Sequence, residues 1–225
     1  MTNKSHAVIV LGATGAVGNQ VLNYLIKRAE VLQISTLGRR LVPDLSETLV
    51  VQHSVDVFDP NTYQEIVKNH QVAICTFGLG EPSKVSKEDF VKIDKTAVIS
   101  FAKACKEVGV THFQLLSSVG INAKSASFYL RSKGELVNEL EAMSFDRLSI
   151  FQPSMIITKT NRYGIAQGIT LKVWPVLSRV LFGPLKKFRG IDVEHLGKAF
   201  VTNMFENKMG LEMITWEDIK RLSKL

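Results

Sequence analysis

Two side chains in the sequence are spaced for acid–base chemistry: Tyr129 and Lys133, within the string YLRSK. On a helix this spacing puts both on one face, with Cβ atoms roughly 5–6 Å apart. A free phenol is a poor base at neutral pH. A neighbouring ammonium stabilises the phenolate and brings proton transfer into reach. Upstream, an apolar run over 111–116 ends in Ser117-Ser118. A serine at a strand end can hydrogen-bond a substrate oxygen whose negative charge grows during reduction. Either serine could face such a site, and Ser118 is preferred because it lies at the loop edge. Ser118, Tyr129 and Lys133 together form an acid–base set for a carbonyl/alcohol couple. On its own, a Tyr-x-x-x-Lys pair also describes many solvated helix faces.

The elements that must position these groups begin at AVIVLGATGAVG (7–18). The apolar, β-branched run over 7–11 suits a buried parallel strand. Gly12, Gly15 and Gly18 follow it, and Val17, Val21, Leu22, Leu25 and Ile26 recur with helical period. The glycines therefore fall in a strand-to-helix turn, where unpaired N–H groups and the helix dipole favour a phosphate. Gly12 allows the tight turn, Gly15 the approach of a pyrophosphate, and Gly18 close helix–strand packing. Thr14 offers a hydroxyl, and Ala16 and Val17 open the helix. In this context a dinucleotide site is favoured over an ordinary glycine-rich turn.

A second apolar strand over 31–37 ends at Gly38-Arg39-Arg40. An NAD site usually carries an acid here for the ribose 2′-hydroxyl. Two arginines suit a 2′-phosphate instead, so the expected cofactor is NADP(H). Arg39, next to the strand, is the first choice; Arg40 assists it or is simply solvated. After a third strand over 49–52, Asp56 and Val57 stand where a loop meets adenine. A surface Asp before a turn is the plainer reading of Asp56. A helix is expected over 61–68, then a fourth strand over 73–77. Phe77 and Gly78 would pass close to the ligand at that strand's C-terminal end.

A long helix over 86–107 carries Phe90, Ile93, Ala97, Val98, Phe101, Ala102 and Cys105 on its apolar face. The fifth strand, the helix of Tyr129 and a sixth strand over 146–151 follow. A helix over 192–204, a strand over 211–215 and a helix over 216–222 close the chain. This alternation specifies an α/β fold: a doubly wound parallel sheet, or Rossmann fold. One domain over 1–225 is expected, with 154–190 as a lid or substrate-binding insertion. Pro175 should break an apolar stretch there. Trp174, Leu177 and Phe182 either line a hydrophobic pocket or pack as core.

Of the 225 residues, 45% are hydrophobic and 22% charged, as in a soluble globular protein. No apolar run approaches the ~20 residues of a membrane span. The short polar start carries no visible targeting peptide, so a cytoplasmic location is expected. Cys75 and Cys105 lack metal-ligand spacing and read as buried thiols, and no metal is expected. The net charge of +7 is uneven: over 147–190 there are eight basic residues and no acidic one. Such a region attracts anionic cofactors, acidic substrates or a membrane surface, or is a solvated face. No nucleic-acid motif accompanies it, so nucleic acid is not an expected partner.

The order of these features resembles the short-chain dehydrogenase/reductase superfamily over roughly residues 7–211. The strings FVKIDKTAV, HFQLLSSVG, FYLRSKGELVNEL and FDRLSIFQPSMI are similar to the atypical group to which the Tat-interacting proteins of animals belong. The resemblance implies NADP(H) across the strand ends and a small or medium carbonyl substrate. It implies Tyr129 as proton donor, Lys133 tuning it and holding the ribose, Ser118 orienting substrate and Pro153 bordering the nicotinamide. Better-studied members keep an Asn on the long helix, where this chain has Lys92, Asp94 and Lys95. Their serine also usually stands further from the tyrosine. The animal relatives are better known as regulatory proteins. A second expectation is therefore an NADPH-binding, redox-sensing regulator with little turnover that acts through a protein partner, as a monomer or homodimer.

Overall fold

Successive residues of a strand point to opposite faces, so an unbroken apolar run needs a covering layer on both sides. A computed structural model describes residues 5–79, 84–158 and 181–224. Its strands are β1 (His6–Leu11), β2 (Val31–Gly38), β3 (Val50–Ser54), β4 (Val72–Cys75), β5 (His112–Leu116), β6 (Arg147–Phe151), β7 (Ile156–Ile157), β8 (Ile191–Asp192) and β9 (Gly210–Ile214). Seven of them form one sheet in the order β3-β2-β1-β4-β5-β6-β9, parallel at every pairing. β7 and β8 pair in parallel as a small second sheet.

The helices are α1 (Ala16–Leu25), α2 (Lys87–Val91), α3 (Ala97–Glu107), α4 (Phe128–Ala142), α5 (Val193–Met204) and α6 (Trp216–Leu222). Val8 and Val10 of β1 pack with α1, α5 and α6 on one face. Ile9 and Leu11 pack with α3 and α4 on the other. This is the doubly wound parallel sheet that the alternation specifies. α1 and α5 approach closely enough that a Cβ on Gly197 would lie 2.5 Å from Gln20 Cβ.

Three regions differ from expectation. The helix expected over 61–68 is a 3₁₀ turn, Pro60–Thr62, followed by further turns. Asp59 accepts from the Asn61 N–H, and Thr62 Oγ1 donates back to the carbonyls of Asp56 and Asp59. These local bonds compete with a helical ladder. The long helix contains a π-helical turn over Lys92–Thr96, between α2 and α3.

The first residue of the basic run is not on a surface. Arg147 is 4% exposed. Its Nε donates to Glu212 Oε1 at 2.6 Å, Nη1 to the Glu206 carbonyl at 2.7 Å and Nη2 to Asn203 Oδ1 at 2.9 Å. Lys186 pairs with Glu217 at 3.2 Å, and the Arg189 guanidinium lies 5.3 Å from the Trp216 ring. Lys159, Arg162, Lys172 and Arg179 lie outside the described residues, as do Trp174, Pro175 and Leu177 of the expected lid.

Candidate active site

The strand order reverses beside β1: the chain steps to β2 and β3 on one side, then crosses to β4 on the other. The turns leaving β1 and β4 diverge there, and ligands of such sheets bind in that crevice. Gly12 has φ +96°, and a Cβ on it would sit 2.7 Å from Phe77 N. Only glycine lets the two turns meet so closely. Thr76 Oγ1 fastens them by donating to the carbonyls of Leu11 (3.3 Å) and Gly12 (3.2 Å). A Cβ on Gly18 would lie 2.2 Å from Gly12 O, so α1 is pressed directly onto the turn. Gly15 caps α1 in extended conformation without a side-chain bond to the helix's first N–H groups. That leaves an N-terminus suited to an anion.

A cavity of about 340 Å³ opens at this point. Its wall brings together Gly15, Ala16 and Val17 from the first turn, Phe77 and Gly78 after β4, Ser117 and Ser118 after β5, Tyr129 and Lys133 on α4, and Pro153 after β6. The last three pieces are fastened to one another. Ser117 N–H donates to Phe151 O at 2.8 Å and Val119 N–H to Pro153 O at 3.0 Å. Asn122 N–H donates to Leu130 O at 3.2 Å, and a Cβ on Gly134 would lie 2.3 Å from Ala123 N. The loop before α4 thus lies against the helix. Phe90 of α2 packs its ring 5.6 Å from that of Tyr129.

Lys133 is 6% exposed, and its Nζ lies 2.7 Å from Oδ1 of Asp94, itself 3% exposed. Asp94 Oδ2 accepts from the Leu79 N–H at 2.8 Å. A Cβ on Gly78 would come within 2.8 Å of Asp94 Oδ1, so this glycine makes room for the carboxylate. Asp94 also lines the cavity. Sequence reasoning had not given it a role, although a signal was present: it stands four residues after Phe90, on the apolar face of the helix. A carboxylate there is buried and needs a partner. Ile93, expected on that face, is only half-buried. The π-helical turn that carries Asp94 is a feature often found at functional sites.

The two serines differ. Ser117 is 8% exposed, and its Oγ has no hydrogen-bond partner within the protein. Ser118 is half-buried and donates over 3.5 Å to the Val119 carbonyl. Behind the cavity, burial pushes the Cys75 thiol up to about 12, which makes it inert. Cys105 is buried as well, and its thiol is raised for the same reason.

Other expected cofactor residues stand outside the cavity wall. Thr14 is exposed on the first turn. Arg39 and Arg40 are exposed just after β2, whose Leu37 carbonyl accepts from Gly12 N–H at 3.5 Å. Asp56 is exposed, with Oδ1 accepting from the Phe58 N–H at 2.9 Å, while the Val57 side chain is in the core. Phe182 does not line the cavity: it is 67% exposed, with the Arg189 guanidinium 5.4 Å from its ring. Among the described residues, no group of acidic, histidine or cysteine side chains is arranged to hold a metal, and no helix is long and apolar enough to cross a membrane.

A doubly wound sheet with a glycine-lined helix N-terminus at its crossover defines a nucleotide-binding α/β protein. The family model described as NAD(P)H-binding matches residues 12–163. The chain therefore belongs to that NAD(P)H-binding family, within the atypical short-chain dehydrogenase/reductase group. It is 33% identical over 159 residues to Protein HTATIP2 of Rattus norvegicus, covering 70% of this chain and 64% of that protein. It is 31% identical over 202 residues to the Candida albicans protein named FMP52, mitochondrial, covering 87% of this chain and 86% of that one. Among solved structures, MoeE5 in complex with UDP-glucuronic acid and NAD superposes with a TM-score of 0.72 at 16% identity, over 92% of this chain and 75% of that one. The Thermus thermophilus UDP-glucose 4-epimerase complex with NAD gives 0.68 at 16% identity, over 97% and 81%. These two likenesses concern the fold alone.

Proposed function

We propose that this protein is an NADPH-dependent oxidoreductase that reduces a small or medium carbonyl compound, with 154–190 bordering the substrate in a single nucleotide-binding domain. The observation that carries the reading is the convergence of Tyr129, Lys133 and both serines on the cavity that begins at the glycine-rich helix N-terminus. What supports a dinucleotide here is the helix N-terminus without a side-chain cap that borders the cavity, the close approach of the turns after β1 and β4 that glycine at 12 and 18 allows, and Ser117 Oγ, a buried hydroxyl without a partner within the protein. Gly12 to Gly18 would hold the pyrophosphate, and Asp56 and Val57 would border the adenine. Phe77, Gly78 and Pro153 would line the nicotinamide end. Arg39, with Arg40 beside it, would take the 2′-phosphate.

Bound NADPH would supply the hydride. Tyr129 gives its phenolic proton to the carbonyl oxygen, so that the product is an alcohol. Lys133 holds positive charge beside the phenolate left behind. Ser118 donates a hydrogen bond to the same oxygen, where charge develops.

Fluorescence titration with NADPH and NADH tests the cofactor, and turnover of Tyr129→Phe with bound NADPH tests the chemistry. Binding of neither nucleotide, or carbonyl reduction that survives the substitution, refutes the reading. The second reading, an NADPH-binding regulator acting through a protein partner, is favoured by Asp94 standing on the helix where better-studied enzymes keep Asn. It predicts NADPH binding with negligible reduction of any carbonyl. Cell fractionation sets the cytoplasmic expectation against the mitochondrial name of the yeast relatives.

A further inference from the structure

We propose that Asp94 is a positioning residue of this site: a fixed counter-ion that keeps Lys133 charged and ties the turn after β4 to α4. The inference rests on the catalytic reading above but concerns a residue to which that reading gives no part.

The two carboxylate oxygens of Asp94 are divided between two elements. Oδ1 meets Lys133 Nζ of α4 at 2.7 Å, and Oδ2 accepts from Leu79 N–H of the turn after β4 at 2.8 Å. One residue on, Lys95 pairs with Glu135 of α4 at 2.7 Å. The π-helical turn thus grips α4 through two ion pairs of opposite sense, at Lys133 and at Glu135. Among the described cavity residues, Asp94 and Lys133 are the charged ones. The other titratable groups near the ammonium are Tyr129 on its own helix and Cys75 on β4, whose thiol burial keeps protonated. The serines after β5 carry no charge.

An ammonium this deeply buried needs a counter-charge. Without one, desolvation drives lysine toward the neutral amine. Neutral Lys133 could not stabilise a phenolate on Tyr129. The carboxylate therefore maintains the charge state that the chemistry uses, and its bond to Leu79 keeps the cavity wall in register with that charge. An amide at the same position could keep the bond to Leu79 but not the charge.

The test is Asp94→Asn in protein labelled with [13C]lysine, with the Lys133 Cε resonance identified by its loss in Lys133→Arg. The expected result is that this resonance loses its ammonium shift at a pH about one unit or more lower in Asp94→Asn than in the parent. The alkaline limb of the rate profile, measured with NADPH and phenanthrenequinone, should move down by the same amount. NADPH binding at pH 6.5 should stay within about threefold of the parent. Asp94→Ser is a second variant should Asp94→Asn fail to fold, and the same downward shift is expected. A Lys133 resonance that titrates identically in parent and variant overturns the proposal. The lysine titration needs no turnover, so it judges Asp94 even if NADPH reduces no carbonyl here. Loss of the catalytic reading would appear separately, as absent NADPH binding or as turnover indifferent to Tyr129→Phe.

Discussion

The two ends of the parallel sheet each bury an ion pair, and the pairs are built differently. At the C-terminal end of the strands, Lys133 and Asp94 meet on a cavity wall, each with an edge toward open space. At the N-terminal end, Arg147 and Glu212 are sealed in a network. Ser149 Oγ donates to Glu212 at 2.7 Å, His112 Nε2 lies 2.8 Å from Ser149 Oγ, and Asn203 Nδ2 donates to Ser149 at 2.9 Å. Glu206 extends the network outward to Lys208 at 2.8 Å and to Arg221. A buried charge whose partners are all within the protein acts on stability. A buried pair that borders a cavity also offers its charge to a ligand. The same desolvation therefore serves folding at one end and, on the proposed function, chemistry at the other.

The comparison can be broken from either end. The largest effect is expected at the open end: Tyr129→Phe should lower NADPH-linked carbonyl reduction by about 10²–10⁴-fold, with urea unfolding unchanged. Turnover assays beside denaturation curves check both halves. At the sealed end, Arg147→Met takes the buried guanidinium from a partly exposed Glu212 that Lys208 Nζ still meets at 3.3 Å, leaves Asn203 Oδ1 and the Glu206 carbonyl without their donor, and should lower unfolding free energy by about 1–3 kcal/mol. NADPH affinity of the folded variant should match the parent; a loss of binding without a loss of stability would reverse the assignment of the two ends.

Smaller effects sharpen the contrast. Arg39→Ser should weaken NADPH binding by about tenfold, the scale of one charge-assisted contact, and leave NADH binding unaffected. Paired fluorescence titrations decide this, and equal affinity for both nucleotides in the parent would reduce Arg39 to a surface charge. The smallest effect concerns pH. Burial, helped by the Arg147 charge, holds the His112 imidazole well below its usual 6.5. The folded state then stays unprotonated there while the unfolded state takes up a proton below 6.5, so stability falls as pH drops through that value. The slope should be about 1 kcal/mol per pH unit until the folded-state value is reached. His112→Gln should reduce that slope in urea titrations between pH 7.5 and 5, while Tyr129→Phe should leave it intact.

Much of the open end was legible in the sequence because its signals are local. The strand, glycine turn and helix at 7–26 announce themselves by spacing, and Tyr129 and Lys133 share a helix face by periodicity alone. The sealed end was misread for the opposite reason. Arg147 looked like the start of a basic surface because Glu212 and Asn203, which neutralise and bury it, lie far along the chain. The helix expected over 61–68 gives way to turns because a few side-chain hydrogen bonds outweigh an apparently helical pattern. Phe182 looked like a pocket residue by hydrophobicity, a property that does not say which apolar side chains find cover.

What the sequence determined by itself is the alternation of strands and helices outside 61–68, the glycine turn and the shared face of Tyr129 and Lys133 on α4. Each depends on residues within one or two helical turns of each other. Tertiary structure decided which charges lost their water and which partners replaced it. Asp94 meets Lys133, Arg147 meets Glu212, and Ser117 rather than Ser118 keeps a buried hydroxyl unpaired. Desolvation and counter-ion choice are set by packing between distant segments, so no local pattern records them.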